Sequence, residues 1–140
     1  MQKLNCALLV DDDQTTNYLN TLLLKRLDVT NKVLVALNGQ EALDLLDKHC
    51  QEATAECPML ILLDVKMPVM DGFAFLEAYD KLMTLQKQAI IIVMLTTSLH
   101  PQDVSRVQDL NIAGFLNKPL TEAKVKEVLS SYFDYLPPVG

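Results

Sequence analysis

Residues 59–72 read MLILLDVKMPVMDG, an apolar run that ends in an aspartate, Asp64, and passes into a loop. Residues 60–63 are continuously apolar and do not alternate with polar residues. An unbroken run of this length is typical of a strand covered on both faces, as in a parallel sheet. Asp71-Gly72 indicates a turn that leads into a helix. The carboxylate of Asp64 is therefore expected at the carboxyl end of a central strand.

Further apolar runs flank this one and alternate with segments of helical spacing. The five predicted strands are Leu4–Val10, Lys32–Leu37, Met59–Asp64, Ala89–Leu95 and Gly114–Asn117. Strands and helices that alternate with short connections predict a parallel sheet with helices on both faces. The sequence therefore indicates the α/β class.

Five helices are expected between and after these strands. Their apolar positions, in chain order, are Leu19, Leu22, Leu23 and Leu27; Ala42, Leu43 and Leu46; Leu76, Tyr79, Leu82 and Met83; Val104, Val107 and Leu110; and Val125, Val128, Leu129, Tyr132 and Phe133. Caps are expected at Asn38, with Glu41 three residues on, and at Thr121. Asp13 is expected to cap the first helix, with a metal role as the alternative.

Length and charge exclude several classes of protein. The 140 residues are 50% hydrophobic, which predicts one folded domain and excludes intrinsic disorder. The net charge of −6 argues against a nucleic-acid partner, because such binding depends on clustered cations. The densest apolar run, 89–95, is shorter than the ~20 residues of a membrane-spanning helix, so no membrane insertion is expected.

The cysteines Cys6, Cys50 and Cys57 are odd in number and irregularly spaced. This pattern predicts reduced thiols in an intracellular protein. A metal site formed by His49, Cys50 and Cys57 is an alternative, but it lacks a fourth ligand and a paired CxxC motif. We therefore expect a helix end followed by a loop in this region.

Polar side chains follow the predicted strands at the points where the strands end. They are three carboxylates, a hydroxyl and an ammonium: Asp11, Asp12, Asp64, Thr96 and Lys118. Because ligands of open α/β sheets bind at the carboxyl ends of strands, these groups are expected to converge. Carboxylates without sulfur or imidazole suit Mg²⁺, and the hydroxyl and ammonium suit a phosphate. Asp64 is then placed to attack phosphorus.

In four segments the chain resembles the receiver domain of two-component response regulators. The segments are Leu9-Val10-Asp11-Asp12, residues 63–72, Met94-Leu95-Thr96-Thr97 and Lys118-Pro119-Leu120. The resemblance implies one stand-alone receiver domain over residues 1–140, similar to chemotaxis regulators, with a core of about 4–135 and no output domain. It also implies a doubly wound (βα)5 sheet of flavodoxin-like strand order 2-1-3-4-5.

The resemblance implies a role for each carboxylate. Asp64 would be the phosphoacceptor and a metal ligand, and Asp12 would bind Mg²⁺ directly. Asp11 would act mainly through a metal-bound water, and the backbone carbonyl of Lys66 would be a further ligand. The side chain of Lys66 would lie at the rim of the site, where it would influence the lifetime of the acyl phosphate.

The resemblance also implies roles for the residues that follow the fourth and fifth strands. Thr96 and Lys118 would hold the phosphoryl oxygens, and the Lys118–Pro119 peptide bond would be cis. Thr96 and Phe115 would form the conformational switch. Phe115 stands where tyrosine is common, so a contact through that hydroxyl is missing. Thr97 is bulkier than the small residue often found there and would narrow access.

The function implied is a cytoplasmic switch controlled by phosphorylation. A sensor histidine kinase or a histidine phosphotransfer protein would supply the phosphoryl group. An unidentified downstream protein would bind the face of the fourth helix, fifth strand and fifth helix. The chain would not be an enzyme, beyond self-catalysed phosphorylation and dephosphorylation. The alternatives are a phosphorylation-independent interaction module and an aspartyl-nucleophile phosphatase, which would need an acid where Lys66 stands.

Overall fold

The computed structural model describes residues 3–50, 57–81, 90–97, 105 and 112–133. The elements in these ranges are β1 (Ala7–Val10), α1 (Gln14–Leu27), β2 (Val33–Ala36), α2 (Gly39–His49), β3 (Leu60–Asp64), α3 (Gly72–Asp80), β4 (Ile91–Thr96), β5 (Gly114–Asn117) and α4 (Glu122–Tyr132). Helix α4 is the last of the five helices predicted from the sequence. The predicted fourth helix, with Val104, Val107 and Leu110, lies outside the described residues, as do Leu82 and Met83.

The five strands are parallel and form one sheet in the order β2-β1-β3-β4-β5. This is the flavodoxin-like order that the resemblance implied. In the register of the sheet, Leu8 of β1 lies between Leu34 of β2 and Ile61 of β3. Because β1 and β3 are neighbours at the centre of the sheet, the residues that end them come to lie side by side.

Successive residues of the central strands pack on opposite faces of the sheet. Leu8 and Ile61 belong to the core cluster under α2 and α3. Leu9 and Leu62 belong to the cluster under α1 and α4. Since side chains alternate along a strand, a strand with both faces covered must be apolar at every position. The unbroken apolar runs of the sequence have this origin.

The apolar face predicted for α1 is confirmed for two of its four leucines. Leu23 and Leu27 pack against the core cluster under α1 and α4, but Leu19 and Leu22 are 57% and 46% exposed. The residues that α1 buries are Asn17, Asn20 and Leu24. The helix is therefore rotated about its axis relative to the orientation that Leu19 and Leu22 predict.

Polar contacts at the start of α1 explain this orientation. The side chain of Asp13 caps the helix by accepting from the N–H of Thr15 at 2.9 Å. One turn later, Nδ2 of Asn17 donates to the backbone carbonyl of Asp11 at 2.8 Å. Because Asn17 must face the end of β1 to make this bond, Leu19 points away from the sheet.

The predicted caps of α2 and α4 are confirmed. Oδ1 of Asn38 accepts from the N–H of Glu41 at 2.9 Å, and the hydroxyl of Thr121 accepts from the N–H of Lys124 at 3.3 Å. The predicted apolar residues Ala42 and Leu46 of α2, and Val125, Val128 and Leu129 of α4, are buried. Asp71 also acts as a cap, as expected for a turn into α3, and accepts from the N–H of Ala74.

Cys50 and Cys57 form a disulfide, so the prediction of reduced thiols is wrong for this pair. Cys50 is the C-cap of α2 and Cys57 lies shortly before β3, and their Cα atoms are 4.8 Å apart. This separation is within the range of disulfides. The bond also removes both thiols from the alternative metal site with His49. Cys6 is buried and lies outside the disulfide.

No helix in the described ranges is long and apolar enough to cross a membrane.

Candidate functional site

Three carboxylates meet at the carboxyl ends of β1 and β3. Asp11 follows β1 and is buried, Asp12 is exposed, and Asp64 is the last residue of β3. One carboxylate oxygen from each residue lies within 4.8 Å of the other two. The adjacency of β1 and β3 in the sheet produces this cluster, although 53 positions separate Asp11 from Asp64 in the chain.

The ammonium of Lys118 joins the two buried carboxylates. Its Nζ lies 2.7 Å from Oδ2 of Asp11 and 3.1 Å from Oδ1 of Asp64. Lys118 directly follows β5, and its backbone N–H donates to the carbonyl of Thr96 at 2.8 Å. The peptide bond between Lys118 and Pro119 is cis.

Backbone N–H groups orient the same two carboxylates. Oδ1 of Asp11 accepts from the N–H of Asp13 at 2.9 Å, so the turn into α1 and the acidic pair are fixed together. Oδ1 of Asp64 accepts from the N–H of Val65 at 2.9 Å. Asp13 also caps α1, so the capping role expected for it is confirmed.

The electrostatics of the site favour binding of a cation. Burial raises the pKa of Asp64, and the charge of Asp11 raises it further, against the opposing effect of Lys118. Burial lowers the pKa of Lys118, but its hydrogen bonds to Asp11 and Asp64 outweigh this effect and raise it overall. One ammonium faces three carboxylates, so an excess of negative charge remains. Carboxylate oxygens in this arrangement fit Mg²⁺.

The remaining residues singled out in the sequence lie at the same edge of the sheet or just below it. Thr96 ends β4, is buried, and pairs with Asn117 of β5. Phe115 lies two residues earlier in β5, is half-buried, and packs against the core cluster under α2 and α3. Lys66 lies two residues beyond Asp64 with an exposed side chain.

Two glycines fix the loop that follows Asp64. The N–H of Gly72 donates to the carbonyl of Val65 at 2.9 Å, and a Cβ at Gly72 would collide with the carbonyl oxygen of Asp64. At the start of α2, the N–H of Gly39 donates to the carbonyl of Met70 at 2.9 Å, and a Cβ there would lie 2.7 Å from Cγ of Met70. The contact with Gly39 could not be predicted, since nothing in a single sequence places α2 against this loop.

Asn17 also supports the site and was not predicted from the sequence. Its side chain is buried and bonds to the backbone of Asp11, while its Oδ1 has no hydrogen-bond partner in the part of the chain that the structure describes. The helical spacing of the sequence could have indicated this role, because Asn17 and Asn20 share a helical face with Leu24. Asparagines that are buried on such a face suggest polar partners.

Comparison with known proteins places this arrangement in a family. The model of the response regulator receiver domain matches residues 7–130. The chain is 30% identical over 128 residues to the probable methanogenesis regulatory protein FilR2 of Methanothrix harundinacea, covering 91% of this chain and 81% of that protein. It is 28% identical over 131 residues to hybrid signal transduction histidine kinase L of Dictyostelium discoideum, covering 90% of this chain and only 7% of that protein.

Comparison with solved structures indicates the same family. The chain is similar to one in the crystal structure of the CheX–CheY–BeF3–Mg²⁺ complex from Borrelia burgdorferi, with a TM-score of 0.74 and 25% identity, covering 91% of this chain and 88% of that one. The family model spans Asp11, Asp64 and Lys118 and far more than half of the sequence. This chain therefore belongs to the response regulator receiver domains.

Proposed function

We propose that this domain is a signalling switch controlled by phosphorylation, in which Asp64 accepts the phosphoryl group. The observation that carries the proposal is the contact of one ammonium, Lys118 Nζ, with both Asp11 and Asp64, beside a third carboxylate from Asp12. Membership of the receiver family supports it, because receiver domains are signalling phosphoacceptors of two-component systems.

Asp64 supplies the nucleophile in this proposal. Its contacts with Val65 N–H and Lys118 Nζ both fall on Oδ1. We assign Oδ2 as the atom that attacks phosphorus: an O–P bond forms to Oδ2, the P–N bond to the histidine of the donor breaks, and its imidazole leaves with the electron pair of that bond. The two contacts on Oδ1 would hold the carboxylate in a fixed orientation during this attack.

Mg²⁺ fits the oxygen ligands that surround Asp64. We assign Asp12, Asp64 and the backbone carbonyl of Lys66 as its protein ligands, with Asp11 acting through a bound water. When bound, Mg²⁺ would neutralise charge on the phosphoryl oxygens.

Lys118 and Thr96 are assigned to the phosphoryl oxygens. The raised pKa of Lys118 keeps its ammonium charged at neutral pH, so it can pair with the added negative charge. Thr96 would donate from its hydroxyl. The half-buried side chain of Phe115, on the neighbouring strand, would then repack as Thr96 moves towards the phosphoryl group.

The proposed donors are a sensor histidine kinase or a histidine phosphotransfer protein, acting in the cytoplasm. The match to part of a hybrid histidine kinase from Dictyostelium supports this class of donor. We propose that the signal leaves by protein–protein contact through a face that includes β5 and α4. The Borrelia neighbour, solved in a complex with CheX, shows that a related chain makes protein contacts.

Labelling with radioactive acetyl phosphate tests this function. We expect one phosphoryl group per chain in the presence of Mg²⁺, and none after chelation or in Asp64→Asn. Asp71→Asn is a matched control, because it removes a carboxylate from the same loop while asparagine still caps α3. Labelling of Asp64→Asn at the level of the wild type would contradict the proposal.

A further inference from the structure

Lys124 occupies an unusual position for a lysine. Helix α4 has its N-cap at Thr121, so Lys124 is the third residue of the helix. Glutamate or glutamine is favoured there, since it can complete a capping box. A cation in the first turn is also opposed by the helix dipole. Neither the capping box nor the helix dipole therefore explains why a lysine occupies this position.

Contacts outside the helix explain it. The Nζ of Lys124 donates to the carbonyl of Asn117 at 2.7 Å and to the carbonyl of Pro119 at 2.9 Å. These carbonyls belong to the residues on either side of Lys118. Pro119 has no N–H, so this turn has few donors of its own, and the ammonium of Lys124 supplies two charge-assisted hydrogen bonds.

The backbone of Lys118 is thereby held from two sides. Its own N–H donates to Thr96 of β4 at 2.8 Å, while Lys124 holds the flanking carbonyls from α4. Its side chain then reaches Asp11 and Asp64. A shift of this backbone would move the ammonium away from the carboxylate that we assign as phosphoacceptor.

We propose that Lys124 is a positioning residue for phosphoryl transfer, which acts by fixing the backbone on both sides of Lys118. This inference rests on the proposed function of Asp64. The contacts of Lys124 are with Asn117 and Pro119, whereas the residues that we assign to Mg²⁺ lie just after β1, at the end of β3 and in the loop after β3. Loss of Lys124 should therefore slow phosphorylation without weakening the binding of Mg²⁺.

The test compares Lys124→Met, Lys124→Arg and Lys126→Met. Methionine keeps much of the length of lysine but donates no hydrogen bond, whereas arginine can still donate to both carbonyls. Lys126 is a matched control on the same helix, because it forms an exposed ion pair with Glu122 at 3.3 Å and lies away from the turn. The two readouts are the rate of phosphorylation by acetyl phosphate at saturating Mg²⁺ and the dissociation constant of Mg²⁺.

We expect Lys124→Met to be phosphorylated about tenfold more slowly, within the ~100-fold that a misplacement of 1 Å can cost. Its Mg²⁺ affinity should stay within about twofold of the wild type, and Lys124→Arg should recover most of the rate. Lys126→Met should match the wild type. A wild-type rate in Lys124→Met, or equal losses in rate and Mg²⁺ affinity, would overturn the proposal.

A second comparison separates positioning from general stability. If Lys124 acts through Lys118, adding Lys124→Met to Lys118→Met should cause no further loss of rate. A further tenfold loss in the double variant would overturn the proposal while leaving the function of Asp64 intact. Failure of the wild type to be phosphorylated at all would instead remove the proposed function, and this inference with it.

Discussion

At the residue scale, Asp64 combines a functional requirement with a cost in stability. Burial and the charge of Asp11 both raise its pKa, so the folded chain binds the Asp64 proton more tightly than the unfolded chain does. Stability linked to this proton is therefore lost as pH rises above the unfolded value near 3.8. Without a bound cation, the ionised carboxylate opposes folding at neutral pH.

We accordingly expect Asp64→Asn to be more stable than the wild type at pH 7 in chelator, by ~1 kcal/mol or about 4 °C in Tm. The difference should shrink as pH falls towards 4, because the wild-type carboxyl becomes neutral. Calorimetry across this pH range measures it. A variant less stable than the wild type at pH 7 would show that the pairing of Asp64 with Lys118 outweighs burial and repulsion.

Val69 shows strain in the loop that follows Asp64. Its φ is 69°, and the N–H of Met70 donates to the carbonyl of Pro68 at 2.7 Å, which makes a γ-turn centred on Val69. A β-branched residue is costly in this conformation. Its side chain is 85% exposed, so it contributes little burial in return.

Replacing Val69 by asparagine, which tolerates positive φ, should stabilise the domain by ~1 kcal/mol. Urea unfolding is a suitable measurement. Val35→Asn is the control, because Val35 is also exposed but lies in β2, where asparagine is unfavourable and should destabilise. If both substitutions changed the free energy of unfolding equally, the exposure of the side chain, and not backbone strain at Val69, would account for the change.

At the scale of elements, the strands and the presence of α1 could be predicted from the sequence, but the full buried face of α1 could not. The short, unbroken apolar run of β3 is typical of a strand with both faces covered, which the structure confirms. In α1, several leucines suggested an apolar face, but Asn17 faces the sheet because it bonds to Asp11. The position of that carbonyl depends on the tertiary structure, so periodicity could not reveal it.

The disulfide between Cys50 and Cys57 was likewise hidden in the sequence, because it depends on where α2 ends relative to β3. A loop this short, with a sequence separation of 7, restricts the unfolded chain by ~2.5 kcal/mol in the chain-entropy model. We expect a reducing agent to lower the unfolding free energy of the wild type by about this amount. The reducing agent should have no effect on the double variant Cys50→Ser, Cys57→Ser. Equal stability of the wild type with and without reducing agent would contradict this expectation.

At the scale of the whole molecule, the site results from topology. Asp64 ends β3, while Asp11 and Lys118 directly follow β1 and β5, and the strand order brings these three distant residues together. Their residue types and positions at strand ends could be predicted from the sequence. The supporting contacts of Gly39, Asn17 and Lys124 could not, because each joins an element to a loop that lies elsewhere in the chain.

If this site binds Mg²⁺, the folded state should gain stability from the ion. At a concentration 100 times the dissociation constant, the gain is ~2.7 kcal/mol. We expect Tm of the wild type to rise with Mg²⁺ and that of Asp12→Asn to rise far less. Asp44→Asn, on the exposed side of α2, should respond as the wild type does. Equal responses of all three chains would show that Mg²⁺ acts elsewhere on the protein.

Identification of the phosphorylated residue tests the central claim most directly. The domain would be incubated with acetyl phosphate and Mg²⁺, the acyl phosphate reduced with borohydride, and the peptides analysed by mass spectrometry. Our account predicts one modified residue, Asp64, and loss of that product after chelation of Mg²⁺. Modification at Asp11 or Asp12 with Asp64 intact, or no modified carboxylate at all, would contradict it.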